Sequence, residues 1–219
     1  MCGRFTLTQD PKQVAQTFGL ETVPDFPPRY NIAPSQPVGV VVCRQSVTKP
    51  EFRLMRWGLI PNWAKDDSMG SKLINARSET VAEKPSFRAA FKYRRCLIPA
   101  DGFYEWQKAQ RGAVKQPFYF SLADHALFAL AGLWESWNDI ETFTILTTTA
   151  NALLQTIHDR MPVILKPEDY ARWLNPEIQA PQPLMELLKP FPDEQMQAIP
   201  VSTRVNSAKM DDVQCIAPL

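Results

Sequence analysis

Several short stretches of this 219-residue chain set reactive or hydrogen-bonding side chains where a plain core would carry apolar ones. The first is Cys2-Gly3-Arg4-Phe5, directly behind Met1. With Met1 in place, Cys2 is an ordinary thiol near a chain end. Once Met1 is removed, Cys2 carries a free amine and a thiol on adjacent carbons. Residues 29–36, RYNIAPSQ, mix polar and apolar side chains and end in a rigid proline turn. Residues 73–80, LINARSET, bring Asn75, Arg77 and Glu79 onto one strand face at period two. An ion pair at a sheet margin reads the same way.

Residues 99–106, PADGFYEW, begin with an Asp101-Gly102 turn signal. The strand that follows puts Phe103 and Glu105 on one face, Tyr104 and Trp106 on the other. A carboxylate among three aromatic residues is partly desolvated, which raises its pKa toward what a general acid needs near neutrality. An exposed strand acid is the plainer alternative. Residues 156–165, TIHDRMPVIL, hold His158, one of two histidines in the chain. It ends a helical pattern, is followed by Asp159 and Arg160, and then by an apolar strand. The other, His125 in ADHAL, has a turn-like, solvent-exposed context.

The elements that must position these groups read as follows. Alternation and β-branched or aromatic runs predict strands over Val38–Cys43, Phe52–Trp57, Arg95–Ile98, Phe103–Trp106, Pro117–Leu122, Leu127–Glu135 and Phe143–Thr147. Helices are predicted over Pro11–Phe18, Ser86–Tyr93, Ala150–Ile157, Glu168–Leu174 and Leu184–Leu188. Twenty prolines against eight glycines suggest rigid, extended loops between short elements. Strands dominate the middle and no βαβ alternation is sustained. The expected fold is one α+β domain over residues 1–219, with strongly curved, mainly antiparallel, barrel-like sheets and peripheral helices.

A hydrophobic fraction of 45% and a charged fraction of 21% are those of a globular chain. No apolar run reaches membrane-spanning length and no signal-peptide pattern opens the chain, so a cytoplasmic chain away from membranes is expected; a monomer is the expected state. Four cysteines, Cys2, Cys43, Cys96 and Cys215, lack the close pairing of zinc sites, and neither metal nor cofactor is expected. Cys43, in VGVVVC, reads as a buried small hydrophobe. Net charge is only +1, yet Lys84 to Arg95 holds five basic residues and no acidic one. Lys84, Arg88 and Lys92 align at i, i+4 spacing, as a solvated helix face or a phosphate-tracking patch.

Taken together, CGRF, RYNIAP, RWG, NARSET, RRCLIPADGFYEW, IHDRMPVIL and PVSTRVNS resemble, in order and spacing, the SRAP (SOS response-associated peptidase) family of abasic-site-crosslinking proteins. The resemblance implies loss of Met1 and binding of single-stranded DNA, or of single-strand/duplex junctions, that contains abasic sites. It also implies capture of the open-ring aldehyde as a thiazolidine by Cys2, with nucleoid association when damage is bound. Asn75 would hold the opened sugar or orient the amine, Glu105 would shuttle protons, and His158 would assist ring opening. Arg4, Arg77 and Arg160 would clamp phosphates, while Trp63 and the turn Asn31–Pro34 would line the groove where bases stack or the strand kinks. Some members have a second tryptophan after the one matching Trp63, where this chain has Ala64 and Lys65. A cysteine peptidase, general or confined to its own N-terminus, and a non-covalent reader of modified bases are the competing readings.

Overall fold

Thirteen strands, five α-helices and several 3-10 turns are seen in a computed structural model, which describes residues 2–44, 49–107 and 114–219. Met1, whose removal the sequence suggests, lies outside the described residues. The centre is a closed ring of β3 (Pro37–Val42), β4 (Glu51–Trp57), β6 (Arg95–Ala100), β9 (Phe128–Trp137) and β10 (Ile140–Thr149). Closure follows from the pairings β10–β4, β4–β3, β3–β6, β6–β9 and β9–β10, all antiparallel except the first. The sequence suits a strand buried on both faces: Val40, Val41 and Val42 of β3 are solvent-free, as are nearly all residues of β6. β9 turns into β10 through Asn138 and Asp139, both with positive φ (45° and 63°). That is the primed turn whose twist matches a tight hairpin.

Short strands extend this ring. β5 (Asn75–Arg77) runs parallel to the far part of β10, and β11 (Arg160–Pro162) runs antiparallel along its other edge. β12 (Ile164–Leu165) pairs with β9. A second, wholly antiparallel sheet has the order β13 (Met196–Pro200), β8 (Pro117–Leu122), β7 (Gly102–Trp106), β1 (Phe5–Leu7), β2 (Arg29–Ile32). The chain passes from ring to sheet between β6 and β7 with only Asp101 intervening. The expected turn at Asp101-Gly102 is therefore a bend within a nearly continuous strand. The Asp101 carboxylate is buried and accepts from the Thr6 hydroxyl (2.5 Å), the Thr8 hydroxyl (2.7 Å) and the Thr8 and Gln9 amides (2.5 and 3.2 Å). Gly102 is required beside it, because a Cβ there would lie 2.2 Å from the Tyr119 ring.

The α+β class, the curved antiparallel sheets and the outer helices agree with the sequence reading. α1 spans Pro11–Phe18 as read: Asp10 caps it through Lys12 and Gln13 amides, Pro11 opens it, and Gly19 closes it at φ 63°. The next three helices are shorter than expected, and the last lies three residues earlier at the same length. α2 covers Arg88–Tyr93 and α3 only Ala152–Gln155. α4 is Tyr170–Leu174, after a 3-10 turn, and α5 is Pro181–Met185. Lys84 thus precedes α2, and no single helix face carries Lys84, Arg88 and Lys92. LINARSET is corrected too: the strand stops at Arg77 and Ser78–Thr80 form a 3-10 turn, so Glu79 leaves the strand face. Cys43 is half-buried, not buried, and lines a cavity of about 540 Å³ with Arg44 and Tyr170.

Arg95 shows how short helices are fixed to the ring. Its guanidinium is buried and donates only to main-chain carbonyls: Phe91 and Lys92 (both 2.8 Å) in α2, Trp173 (2.6 Å) in α4 and Asn175 (2.5 Å) just beyond it. Carbonyls at helix C-termini lack intrahelical donors and carry partial negative charge, so one cation closes both helices. Arg95→Met keeps the stem but strips these acceptors of donors. It is expected to lower unfolding free energy by about 3 kcal/mol or more, read as a reduced urea midpoint at unchanged slope. A loss below about 0.5 kcal/mol would contradict this role.

Candidate active site

The beginning of the chain is built into the second sheet, not left beside it. Phe5 pairs with Phe103, and the Tyr104 amide donates to the Arg4 carbonyl at 3.0 Å. Continuing that antiparallel register sets Gly3 opposite Glu105. One residue earlier, the Cys2 carbonyl accepts from the Asn75 side-chain amide at 2.8 Å. Cys2 is therefore held by β7 on one side and by β5 on the other. Its side chain is fully buried, and the thiol lies 3.8 Å from the Arg4 carbonyl. Burial, and then the nearby Glu105 carboxylate, push the thiol pKa well above its ordinary value.

Asn75 opens β5, where Ile145 of β10 is its partner. While its Nδ2 holds Cys2, its Oδ1 is buried and has no hydrogen-bond partner among the described residues. Glu105 lies in β7 opposite Phe118 of β8 and is 2% exposed. Burial raises its pKa, and the charge of His158 works in the opposite direction. The desolvated acid anticipated from PADGFYEW is present.

His158 follows α3, with its amide on the Leu154 carbonyl at 2.8 Å. The backbone N–H of Arg160 donates to His158 Nδ1 at 3.0 Å, which assigns the proton of the neutral ring to Nε2. Asp159 Oδ1 lies 3.1 Å from the same Nδ1. Cys2, Asn75, Glu105 and His158, four residues far apart in sequence, thus converge at one end of β10. Among the described residues no group of three or more His, Cys, Asp or Glu could hold a metal ion.

The residues expected to contact DNA divide. Arg77 is exposed at the end of β5. Arg4 is half-buried, and burial lowers its pKa. Among the described residues it is held only by long bonds to the Gly3 and Asn206 carbonyls (3.4 and 3.5 Å). Arg160 is engaged: its guanidinium donates to both oxygens of Glu79 (2.5 and 3.0 Å) and to the Thr147 carbonyl (2.6 Å). Trp63 is 56% exposed on the loop after β4. That loop is pinned where the Trp137 indole N–H donates to the carbonyl of Ala64 (2.8 Å). Pro34 is half-buried beside Ser35, whose φ is 69°. Asn31 does not reach a groove. It is fully buried, and its Nδ2 serves the carbonyls of Val205, Ser207 and Met210 (3.2, 3.0 and 2.7 Å).

Two residues beside the site had no assigned part in the sequence reading. Trp106 donates its indole N–H to Asn206 Oδ1 at 2.7 Å, and the Asn206 carbonyl takes the bond from Arg4. PVSTRVNS carried that signal as a motif without a role. Its geometry gives it one: Asn206 joins the C-terminal 3-10 turn to the wall beside Glu105.

Residues 1–208 match the family model described as SOS response associated peptidase (SRAP). The abasic site processing protein YoqW of Bacillus subtilis is 44% identical over 224 residues, covering 99% of each chain. The chicken abasic site processing protein HMCES is 32% identical, over 89% of this chain and 67% of its own. A crystal structure of a Bacteroides thetaiotaomicron protein superposes with a TM-score of 0.87 at 28% identity, covering all of both chains.

The raised pKa of Glu105 has a stability consequence with a definite sign. Between the unfolded carboxyl value, about 4.3, and the higher folded value, the native state binds more protons than the unfolded one. Native stability therefore falls as pH rises through that window. Glu105→Gln removes this cost, so its thermal midpoint should exceed wild type at pH 7–8 and converge with it near pH 4. A variant less stable than wild type at neutral pH would show that the carboxylate is held by compensating bonds.

Proposed function

The chain belongs to the SRAP family, and on that footing we propose that it processes abasic sites in single-stranded DNA by covalent capture through Cys2. The observation that carries this reading is the convergence of Asn75, Glu105 and His158 on Cys2, with the thiol held in its protonated form. A thiol kept neutral by burial suits a reaction that consumes S–H as a whole.

With Met1 removed, the α-amine of Cys2 has a pKa of about 7.7–8.0, so part of it is unprotonated at physiological pH. An abasic sugar is mostly a closed hemiacetal. His158, bearing its proton on Nε2, assists opening to the aldehyde. The amine adds to the aldehyde carbon, and Glu105 takes the proton that the nitrogen sheds and returns it to the departing hydroxyl, giving an imine and one water. The S–H then adds across the C=N bond: sulfur bonds to carbon and the proton ends on nitrogen. The five-membered thiazolidine forms with no net gain or loss of protons. Because amine and thiol share one residue, the second addition is intramolecular. Asn75 holds the Cys2 carbonyl with Nδ2, which leaves Oδ1 for the opened sugar or the amine.

Arg77 and Arg4 supply phosphate contacts, and Trp63 supplies a stacking face, worth roughly 1–3 kcal/mol per base without sequence preference. Arg160 contributes chiefly through its partners, because three of its five N–H groups are already committed. A general cysteine peptidase needs a thiolate formed by a lowered pKa; both burial and Glu105 act the other way here.

Mixing the purified protein with abasic single-stranded DNA should give a heat-stable adduct on a denaturing gel, with intact mass equal to protein lacking Met1 plus DNA minus one water. Cys2→Ala should abolish it while DNA affinity stays within about twofold, and Cys2→Ser should give at most a labile species. An undiminished stable adduct from Cys2→Ala would sink the mechanism. A non-covalent reader would leave no band at all. Affinity should fall with salt, and Arg77→Ala should reduce the log–log slope by roughly 0.7, the value for one phosphate contact on a single strand.

A further inference from the structure

We propose that Glu79 is a positioning residue for His158, acting through Arg160. The proposal rests on the reading above, because His158 matters there through the proton it carries. It begins where the sequence expectation failed. The chain leaves β5 at Arg77 and turns through Ser78–Thr80, so Glu79 reaches across the end of β10 toward β11. There its two oxygens meet Arg160 Nη1 and Nη2 (2.5 and 3.0 Å) in the paired geometry that fixes a guanidinium in plane. Nη2 also donates to the Thr147 carbonyl in β10 (2.6 Å). One ion pair therefore straps β5, which carries Asn75, to β11, which follows His158.

The consequence lies at one nitrogen. His158 Nδ1 has two suitors: the Arg160 backbone N–H at 3.0 Å and the Asp159 carboxylate at 3.1 Å. They demand opposite protonation. The amide requires a lone pair on Nδ1 and so a proton on Nε2; the carboxylate requires a proton on Nδ1 and leaves Nε2 bare. Holding Arg160 at its side chain holds the residue whose N–H makes the first choice. Glu79 thereby selects the tautomer that can donate a proton from Nε2. The hydrogen bond from Arg160, with the charge of Arg77 adding a little, keeps the Glu79 carboxyl below its usual range, so the strap stays charged.

Two measurements test this. With only two histidines in the chain, ring ¹⁵N NMR of the full-length protein resolves His158 once His125→Gln identifies the other. Wild type should show Nδ1 unprotonated and Nε2 protonated, and Glu79→Gln should shift both nitrogens toward the other tautomer. In single-turnover crosslinking at saturating abasic DNA, Glu79→Gln should slow wild type by about tenfold or more. In a His158→Ala background it should cost less than about twofold, because the residue it serves is gone. Unchanged His158 nitrogens, or losses that multiply independently in the two backgrounds, overturn the assignment. If Glu79→Gln fails to fold, Glu79→Asp, which keeps the charge and shortens its reach, carries the same comparisons. Absence of any adduct from wild type would reject the proposed reaction, while the NMR measurement would still decide the role of Glu79.

Discussion

A β-strand has two edges, and a buried one must satisfy both along its whole length. β10 is ten residues long, and neither of its long neighbours covers it fully: β9 pairs only as far as Ile145 and β4 only at Thr142 and Phe143. Leaving the remaining amides and carbonyls without partners would cost about 1–3 kcal/mol for each buried group. The vacant edges are filled by β5 on one side and β11 on the other. Neither three-residue strand could stand alone, yet Asn75 opens the first and His158 lies two residues before the second. The site arises where the ring finishes its own hydrogen bonding.

The same economy explains which polar residues are buried. Asp101, Asn31 and Arg95 look like functional side chains by type, but each ties neighbouring segments together: Asp101 accepts from Thr6, Thr8 and Gln9, while Asn31 Nδ2 and the Arg95 guanidinium donate to main-chain carbonyls. They replace secondary-structure bonds where the chain bends, turns or ends a helix. Glu105 differs, since burial works against its charge. A carboxyl whose charged form is disfavoured by burial is suited to exchanging a proton.

The longer strands were legible because each spans enough residues for a pattern to repeat. Pro117–Leu122 matches residue for residue, and the strands around Val40, Leu97 and Phe143 differ only at their ends. α1 was readable from Asp10, Pro11 and Gly19. β1, β2 and β13 were not, since three to five residues carry no period and their existence depends on distant partners, while β5 and the strand after Asp159 were read as strands with the wrong extent. In the site, the candidate residues were legible by type: Cys2, Asn75, Glu105 and His158 do converge. Geometry was not. Nothing in NARSET says that Glu79 leaves the strand to meet Arg160, and nothing in RYNIAP says that Asn31 faces inward to the residues after Val205. Those facts belong to pairings more than eighty residues apart in the first case and more than a hundred and seventy in the second.

The bonds that bring the site's segments together are non-local: Cys2 to Asn75 spans 73 residues, Glu79 to Arg160 spans 81, and Thr6 to Asp101 spans 95. Loop closure must precede each of them, so none can form in a partly collapsed chain at low entropic cost. No contiguous fragment shorter than most of the protein contains the cluster. In the proposed reaction, the Cys2 aminothiol is therefore an unassisted, solvent-borne group until the ring and the second sheet have closed together. The reactivity toward an aldehyde proposed for it would then be a property of the completed topology, lost with the cooperative unfolding of the whole rather than worn away piece by piece.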